Sequence, residues 1–415
     1  MIFGPIPPPR RATQAGYRDR GGALVDDVLF TYFAAPHSFT GEDTLEISCH
    51  GNPFIARKIL EDLHARGCRP AEPGEFTKRA FLNGRLDLSQ AEAVMDLLQA
   101  RSDRALQAAN AILKGALGRE VDRLIALLVN ILADIEAGID FPEEDLPPEN
   151  KAGLRRRLDE LAGASGRLLA TNRYGNLLRG GIRTLIIGET NAGKSSLMNR
   201  LVGHDRAIVS PEPGTTRDYL EEPLAFGRHS LRLVDTAGLN AAPSALERLG
   251  QEKAREQAGS ADLFLWVLDS TRPLPALPDY LRSRMTPGNT VAVLNKSDLP
   301  PASPPPQPGP MPTVRVSALL GAGMEALEAA VAKLAEAARV EVGPELIAIN
   351  ARHSSALRLV KDCLDTARIE LDRGAPAELL ASSLRSALDG FGSIAGKVDN
   401  ERILDSLFAT FCIGK

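Results

Sequence analysis

The stretch Gly188-Glu-Thr-Asn-Ala-Gly193-Lys194-Ser195 decides the fold. It fits G-x-x-x-x-G-K-[ST], with a strand pattern before it (Thr184 to Ile187) and a helix pattern from Ser195 onward, the context such a loop needs. Glycines let the backbone curl so that amides point inward at phosphate oxygens. The following helix N-terminus adds positive potential, and the lysine a point charge. Gly188, Asn191, Ala192, Gly193, Lys194, Ser195 and Ser196 are therefore the candidate phosphate contacts, with the Ser195 hydroxyl as a Mg²⁺ ligand. A glycine-rich turn without a ligand is the other reading of the loop alone, and the motifs that follow decide against it.

Further along the chain, Asp235-Thr-Ala-Gly238 closes a strand and places a carboxylate to hold a magnesium-bound water, with a glycine amide near the γ-phosphate. Asn295-Lys296-Ser-Asp298 follows another strand. The Asp298 carboxylate can accept from both N1–H and the N2 amine of guanine, a donor pair that adenine lacks. Ser317-Ala318 would add a backbone amide to the guanine carbonyl. The intervening apolar runs, Leu231 to Val234, Leu263 to Leu268, Val291 to Leu294 and Val314 to Val316, alternate with helical patterns. That alternation predicts a Ras-like, doubly wound parallel sheet over residues 179–340, binding GTP and GDP. The proline-rich run Pro300 to Pro312 reads as a surface loop inside this domain.

Outside it, Val25 to Phe33 and Thr44 to Ser48 read as strands followed by a helix, a small α/β domain over 1–84. Ser89-Gln-Ala-Glu92 reads as a capping box opening a long helical stretch to about Ile139. The acidic, proline-rich Asp140 to Asn150 is a break before a helix over Lys151 to Leu178. Helices over Asn350 to Arg373 and Pro376 to Leu388 follow the nucleotide domain. The expected architecture is thus multidomain α/β: an N-terminal α/β domain, a discontinuous helical domain (85–178 and 341–415) and an inserted nucleotide domain. Composition agrees with an ordinary globular protein: 415 residues, 44% hydrophobic, 25% charged, net charge -4, which gives no global pull toward phosphate backbones. Four dispersed cysteines fit reduced thiols in a cytoplasmic protein. No apolar run is long enough to span a membrane.

Hydrolysis needs a group to orient water. Where Ras-like proteins place a glutamine after the glycine, this chain has Leu239, which cannot do so. Glu247 is the candidate replacement, its other reading being an exposed helix-face glutamate. Positive charge must also reach the β,γ-bridging oxygens. Asn191, with Ser210 and carbonyls of the loop Ser210 to Thr216, Glu212 and Thr215 among them, suggests a site for a monovalent cation in place of an arginine. The alternative is that Asn191 fills a variable loop position. Thr216 is the second candidate Mg²⁺ ligand, its hydroxyl closing over the metal. Pro211 and Pro213 stiffen that loop.

Gly214-Thr-Thr-Arg-Asp218, Asp235-Thr-Ala-Gly-Leu239, Pro73-Gly-Glu-Phe-Thr-Lys-Arg-Ala-Phe-Leu-Asn-Gly84, Leu86-Asp-Leu-Ser-Gln-Ala-Glu-Ala93 and Phe411-Cys-Ile-Gly-Lys415 together resemble the MnmE (TrmE) family of tRNA modification GTPases. The resemblance runs from about Leu24 to Lys415. It implies a homodimer joined through N-terminal domains, and a heterotetramer with a flavoprotein, MnmG. The pair would install an aminomethyl-type group on the wobble uridine of certain tRNAs, using a tetrahydrofolate derivative (5-formyl or 5,10-methylene). It also implies potassium-dependent pairing of nucleotide domains, and assigns Asn191, the Ser210 to Thr216 loop and Glu247 to it. The family's folate contacts map to Glu46, Arg85 and Lys415, and Cys412 is the candidate for modification chemistry. Taken alone, Cys412 also reads as a packed, inert cysteine. Lys78, Arg79 and Arg85 read either as a solvated basic face or as a tRNA or folate surface.

Members of the family begin with a strand and loop carrying a folate-binding arginine. Here Met1 to Arg20 stands instead, so the first strand is expected to be missing and folate binding weakened. The main alternative function is a ribosome-assembly GTPase, disfavoured because no KH pattern follows the nucleotide domain.

Overall fold

In a computed structural model of the chain, the described residues are 7–140, 148–204, 223–234, 256–337, 339–342, 345–396 and 411. They fall into two compact units: Met1–Met95 with Leu113–Val121 and Gly392–Lys415, and Asp96–Ile112 with Asp122–Phe391.

The first unit holds an antiparallel sheet of β1 (Thr13–Arg18), β2 (Leu24–Phe33) and β3 (Thr44–Ser48), in that order. β1 lies within Met1 to Arg20, where the sequence shows no strand pattern. Its residues are mostly polar and show no apolar run. What makes it a strand is pairing, Ala15 against Val28 and Tyr17 against Asp26, and the burial of Tyr17, which is 0% exposed. Helix α1 (Pro53–Ala65) covers this face through Ile55, Ile59 and Leu63, one helical turn apart. Its Asn52 cap accepts from the Phe54 amide at 2.9 Å.

After α2 (Glu75–Leu82), α3 (Leu88–Gln99) starts one residue before Ser89. The cap is therefore Asp87 and the partner Gln90: Asp87 Oδ1 accepts from the Gln90 amide at 2.8 Å, and Gln90 Oε1 accepts from the Asp87 amide at 2.9 Å. This corrects the Ser89 to Glu92 box; both of those residues are buried instead. Leu88, Ala91 and Val94 form a core with Phe411.

The second unit holds α6 (Pro148–Gly180), α10 (Ala351–Arg373) and most of α4 (Asp103–Leu113), α5 (Ala116–Asp140) and α11 (Ala377–Ala395), of which Leu113, residues 116–121 and residues 392–395 fall in the first. Buried Leu124, Leu128, Ile131 and Ile135 on α5, and Leu154, Leu158, Leu161 and Leu168 on α6, recur at the spacing of one helical face. Among the described residues a six-stranded sheet runs β5 (Pro223–Phe226), β6 (His229–Val234), β4 (Ile182–Ile187), β7 (Leu263–Asp269), β8 (Thr290–Asn295), β9 (Thr313–Arg315). All neighbours are parallel except the β5–β6 hairpin. Helices α7 (Lys194–His204) and α9 (Met324–Glu336) bury Leu197, Leu201, Leu327 and Val331 against one face. Ala258, Leu281 of α8 (Asp279–Arg282) and Met285 pack on the other. β7 and β8 are buried throughout, as strands covered on both faces must be. β4 lies where the strand order reverses, which opens a crevice at its C-terminal end.

Candidate nucleotide site

The phosphate loop occupies that crevice. Gly188 follows β4 with φ 153°, and a Cβ there would stand 2.3 Å from the Val267 carbonyl, so only glycine leaves the strand so close to its neighbour. Asn191 takes a left-handed φ of 67°, which asparagine tolerates. Gly193 has φ 96°, and a Cβ there would lie 2.1 Å from Nδ2 of Asn295. α7 begins at Lys194, so the first amides of the helix face the loop. The Lys194 ammonium donates to the carbonyls of Gly188 and Glu189, both at 2.8 Å, arching back across the loop. Asn191, Ser195 and Ser196 are exposed, whereas Ala192 is buried.

Asn295, the last residue of β8, is 3% exposed and spends its carboxamide within the protein. Nδ2 donates to the Ala192 carbonyl at 2.9 Å, and Oδ1 accepts from the Ala318 amide at 3.0 Å. The amide expected at the guanine carbonyl is thus directed to Asn295 in this structure. Ser317 braces the same turn, its amide donating to Ala322 at 3.0 Å and its Oγ accepting from the Leu320 amide at 3.1 Å. Asp298 is exposed beyond β8.

Lys296 has a left-handed φ of 60°, and its ammonium lies 2.6 Å from Oδ2 of Asp269. Burial works to raise the Asp269 carboxyl, but Lys296 and two donors from Thr271 outweigh it and hold it below the usual carboxylate range. Sequence reading ended β7 at Leu268 and so missed Asp269. The available signal was an acidic residue closing an otherwise apolar run.

Ser210, Glu212, Thr215, Thr216, Asp235, Gly238, Glu247, Cys412 and Lys415 lie outside the described residues. In the first unit, Glu46 is exposed on β3 opposite Thr31. Arg85 is exposed beyond α2, its stem beside the Gly41 turn. Among the described residues no cluster of three or more His, Cys, Asp or Glu side chains is arranged to hold a metal. The loop's Ser195 hydroxyl suits a Mg²⁺ ion shared with phosphate oxygens rather than one caged by protein.

A phosphate loop at the switch point of a doubly wound sheet, clamped through Asn295 to an Asn-Lys-Ser-Asp segment, defines a P-loop GTPase, a GTP hydrolase. Residues 88–412 match the family described as MnmE helical domain, and residues 2–85 the family described as GTP-binding protein TrmE N-terminus. The tRNA modification GTPase MnmE of Opitutus terrae is 56% identical over 421 residues, covering 100% of this chain and 92% of its own length. The protein of that name from Akkermansia muciniphila is 45% identical over 408 residues, covering 98% and 90%. That from Moorella thermoacetica is 41% identical over 432 residues, covering 100% and 93%. The chain belongs to the MnmE family. Among the described residues no helix is long and apolar enough to cross a membrane.

Proposed function

We propose that this GTPase acts in tRNA modification, as a potassium-stimulated enzyme that works with a flavin-dependent partner, MnmG, to convert the wobble uridine of certain tRNAs to its 5-carboxymethylaminomethyl or aminomethyl form. The observation that carries the reading is the match of the segments outside the nucleotide domain, residues 2–85 and the helical part of 88–412. Nucleotide motifs alone are shared with binding switches of other function.

In this reading the loop amides and Lys194 bind the phosphates, the lysine exchanging two backbone carbonyls for phosphate oxygens. Asp298 selects guanine. Ser195 and Thr216 would hold Mg²⁺, with Asp235 for a water bound to it and the Gly238 amide for the γ-phosphate. Asn191, Ser210, Glu212 and Thr215 would hold K⁺, and the ion would supply positive charge in place of an arginine. Glu247 orients the attacking water. Glu46, Arg85 and Lys415 hold the tetrahydrofolate derivative, and Cys412 serves the modification. The chain acts as a cytoplasmic homodimer in a heterotetramer with MnmG, with residues 1–84 dimerising, 179–340 hydrolysing GTP, and 85–178 and 341–415 forming the helical domain.

Nucleoside analysis of tRNA tests this. A strain lacking the gene should lose the modified uridine, wild type should restore it, and Cys412→Ser should not, although its GTP hydrolysis is unchanged. Normal modification in the deletion strain, with accumulation of ribosome precursors, would transfer the protein to the ribosome-assembly class.

A further inference from the structure

The end of β7 makes contacts that the nucleotide motifs do not explain. Asp269 has a side chain only 7% exposed and pairs with Lys296 at 2.6 Å. Its other oxygen accepts from the Thr271 amide at 2.9 Å and the Thr271 hydroxyl at 2.6 Å, so the carboxylate is fixed in place. The next residue grips the same lysine by its backbone. Ser270 Oγ donates to the Lys296 carbonyl at 3.0 Å, and the Ser270 amide donates to the Asn295 carbonyl at 3.0 Å. The Ser270 carbonyl in turn accepts from the Ala302 amide at 2.8 Å. These bonds hold Lys296 at φ 60°, a left-handed conformation that a lysine adopts only when its surroundings impose it. Asp269 also faces the phosphate loop: one small cleft is lined by Glu189, Thr190 and Ala192 on one side and by Asp269 and Arg272 on the other. Arg272, mostly exposed, lies 3.7 Å from the same carboxylate oxygen.

We propose that Asp269 is a positioning residue for guanine-nucleotide recognition, acting through Lys296 to set the conformation of the Asn295 to Asp298 segment. Asp269 itself does not touch the nucleotide. It fixes the lysine side chain while Ser270 fixes the lysine backbone, so that Asp298, two residues on, meets the base without the segment having to reorder on binding. The inference rests on reading Asn295 to Asp298 as the guanine-recognition segment.

The test is a double-mutant cycle on steady-state GTP hydrolysis in the full chain, with D269N, K296M and D269N/K296M. Loss of a charge-assisted, buried contact should raise KM for GTP about tenfold in D269N while kcat at saturating GTP stays within about twofold. If Asp269 acts through Lys296, the double variant should show no further rise beyond K296M, and it also leaves no unpaired buried charge should D269N alone fold poorly. D269E should recover part of the affinity. An unchanged KM in D269N, or independent, additive effects of the two substitutions, overturns the proposal. D298N distinguishes failure of the underlying reading: if it too leaves the GTP over ATP preference intact, the segment is not the base-recognition element at all.

Discussion

The Asn295 carboxamide reaches past β7 to donate 2.9 Å to the carbonyl of Ala192, although β8 and β4 are not neighbours in the sheet. A buried hydrogen bond thereby ties the Asn295 to Asp298 segment to the phosphate loop. The other end of the same amide secures Ala318.

Asn295→Ala should therefore damage both halves of the site. It leaves a buried carbonyl and a buried amide without partners, which costs about 2–3 kcal/mol. Urea unfolding should show that loss, and titration with GDP should show weakened binding that excess Mg²⁺ does not restore.

Asp298, the proposed guanine acceptor, is exposed beyond β8. Asp298→Asn replaces an acceptor with a group that offers a donor, so preference should move from GTP toward xanthosine triphosphate by about 100-fold or more. Competition between the two nucleotides measures it, and an unchanged GTP preference counts against the assignment.

Protonation enters through His229 at the start of β6. It is 3% exposed, and its Nε2 lies 3.5 Å from Glu336 Oε1. That oxygen also receives Arg104 Nε at 2.7 Å and the Tyr174 hydroxyl at 3.4 Å. Burial lowers the His229 value; Glu336 opposes this and Arg104 adds to it, and the net direction is down from 6.5. The unfolded chain thus takes up the proton first. The stabilisation is complete above 6.5 and is lost as pH falls below it toward the lower folded value. His229→Gln should flatten the melting-temperature profile below pH 6.5.

In the first unit Glu75 accepts from Arg69 at 2.6 and 2.8 Å, from the Glu72 amide at 2.8 Å and from Arg79 at 2.7 Å. Arg69 above all, then the Glu72 amide, pushes its carboxyl down from 4.5 to about 2. Its contribution is present above 4.5 and lost as pH falls toward about 2. Glu75→Gln should be least stable relative to wild type at neutral pH, with the gap closing in acid, as read by thermal melts across that range.

The parts of the fold written in apolar runs were legible. Leu263 to Leu268 became β7 with one residue added at its end, and Val291 to Leu294 became β8 with one added at each end, because buried parallel strands have no polar face. β1 was not legible, since its polar residues are strands only by pairing with β2. Nor was β5, a four-residue edge strand opening on a proline. In the site, the spacing of glycines and lysine announced the loop, because that chemistry is local in sequence. The clamps were hidden. Asn295 meets Ala192 across 103 residues and Lys296 meets Asp269 across 27, contacts that exist only once the sheet has assembled.

We propose that GTP is hydrolysed by paired nucleotide domains assisted by potassium. Steady-state GTP turnover, measured across protein concentrations in potassium and in sodium at equal ionic strength, tests it most directly. The rate per chain should rise with concentration in potassium and stay low in sodium. Equal rates in the two salts at every concentration would contradict it.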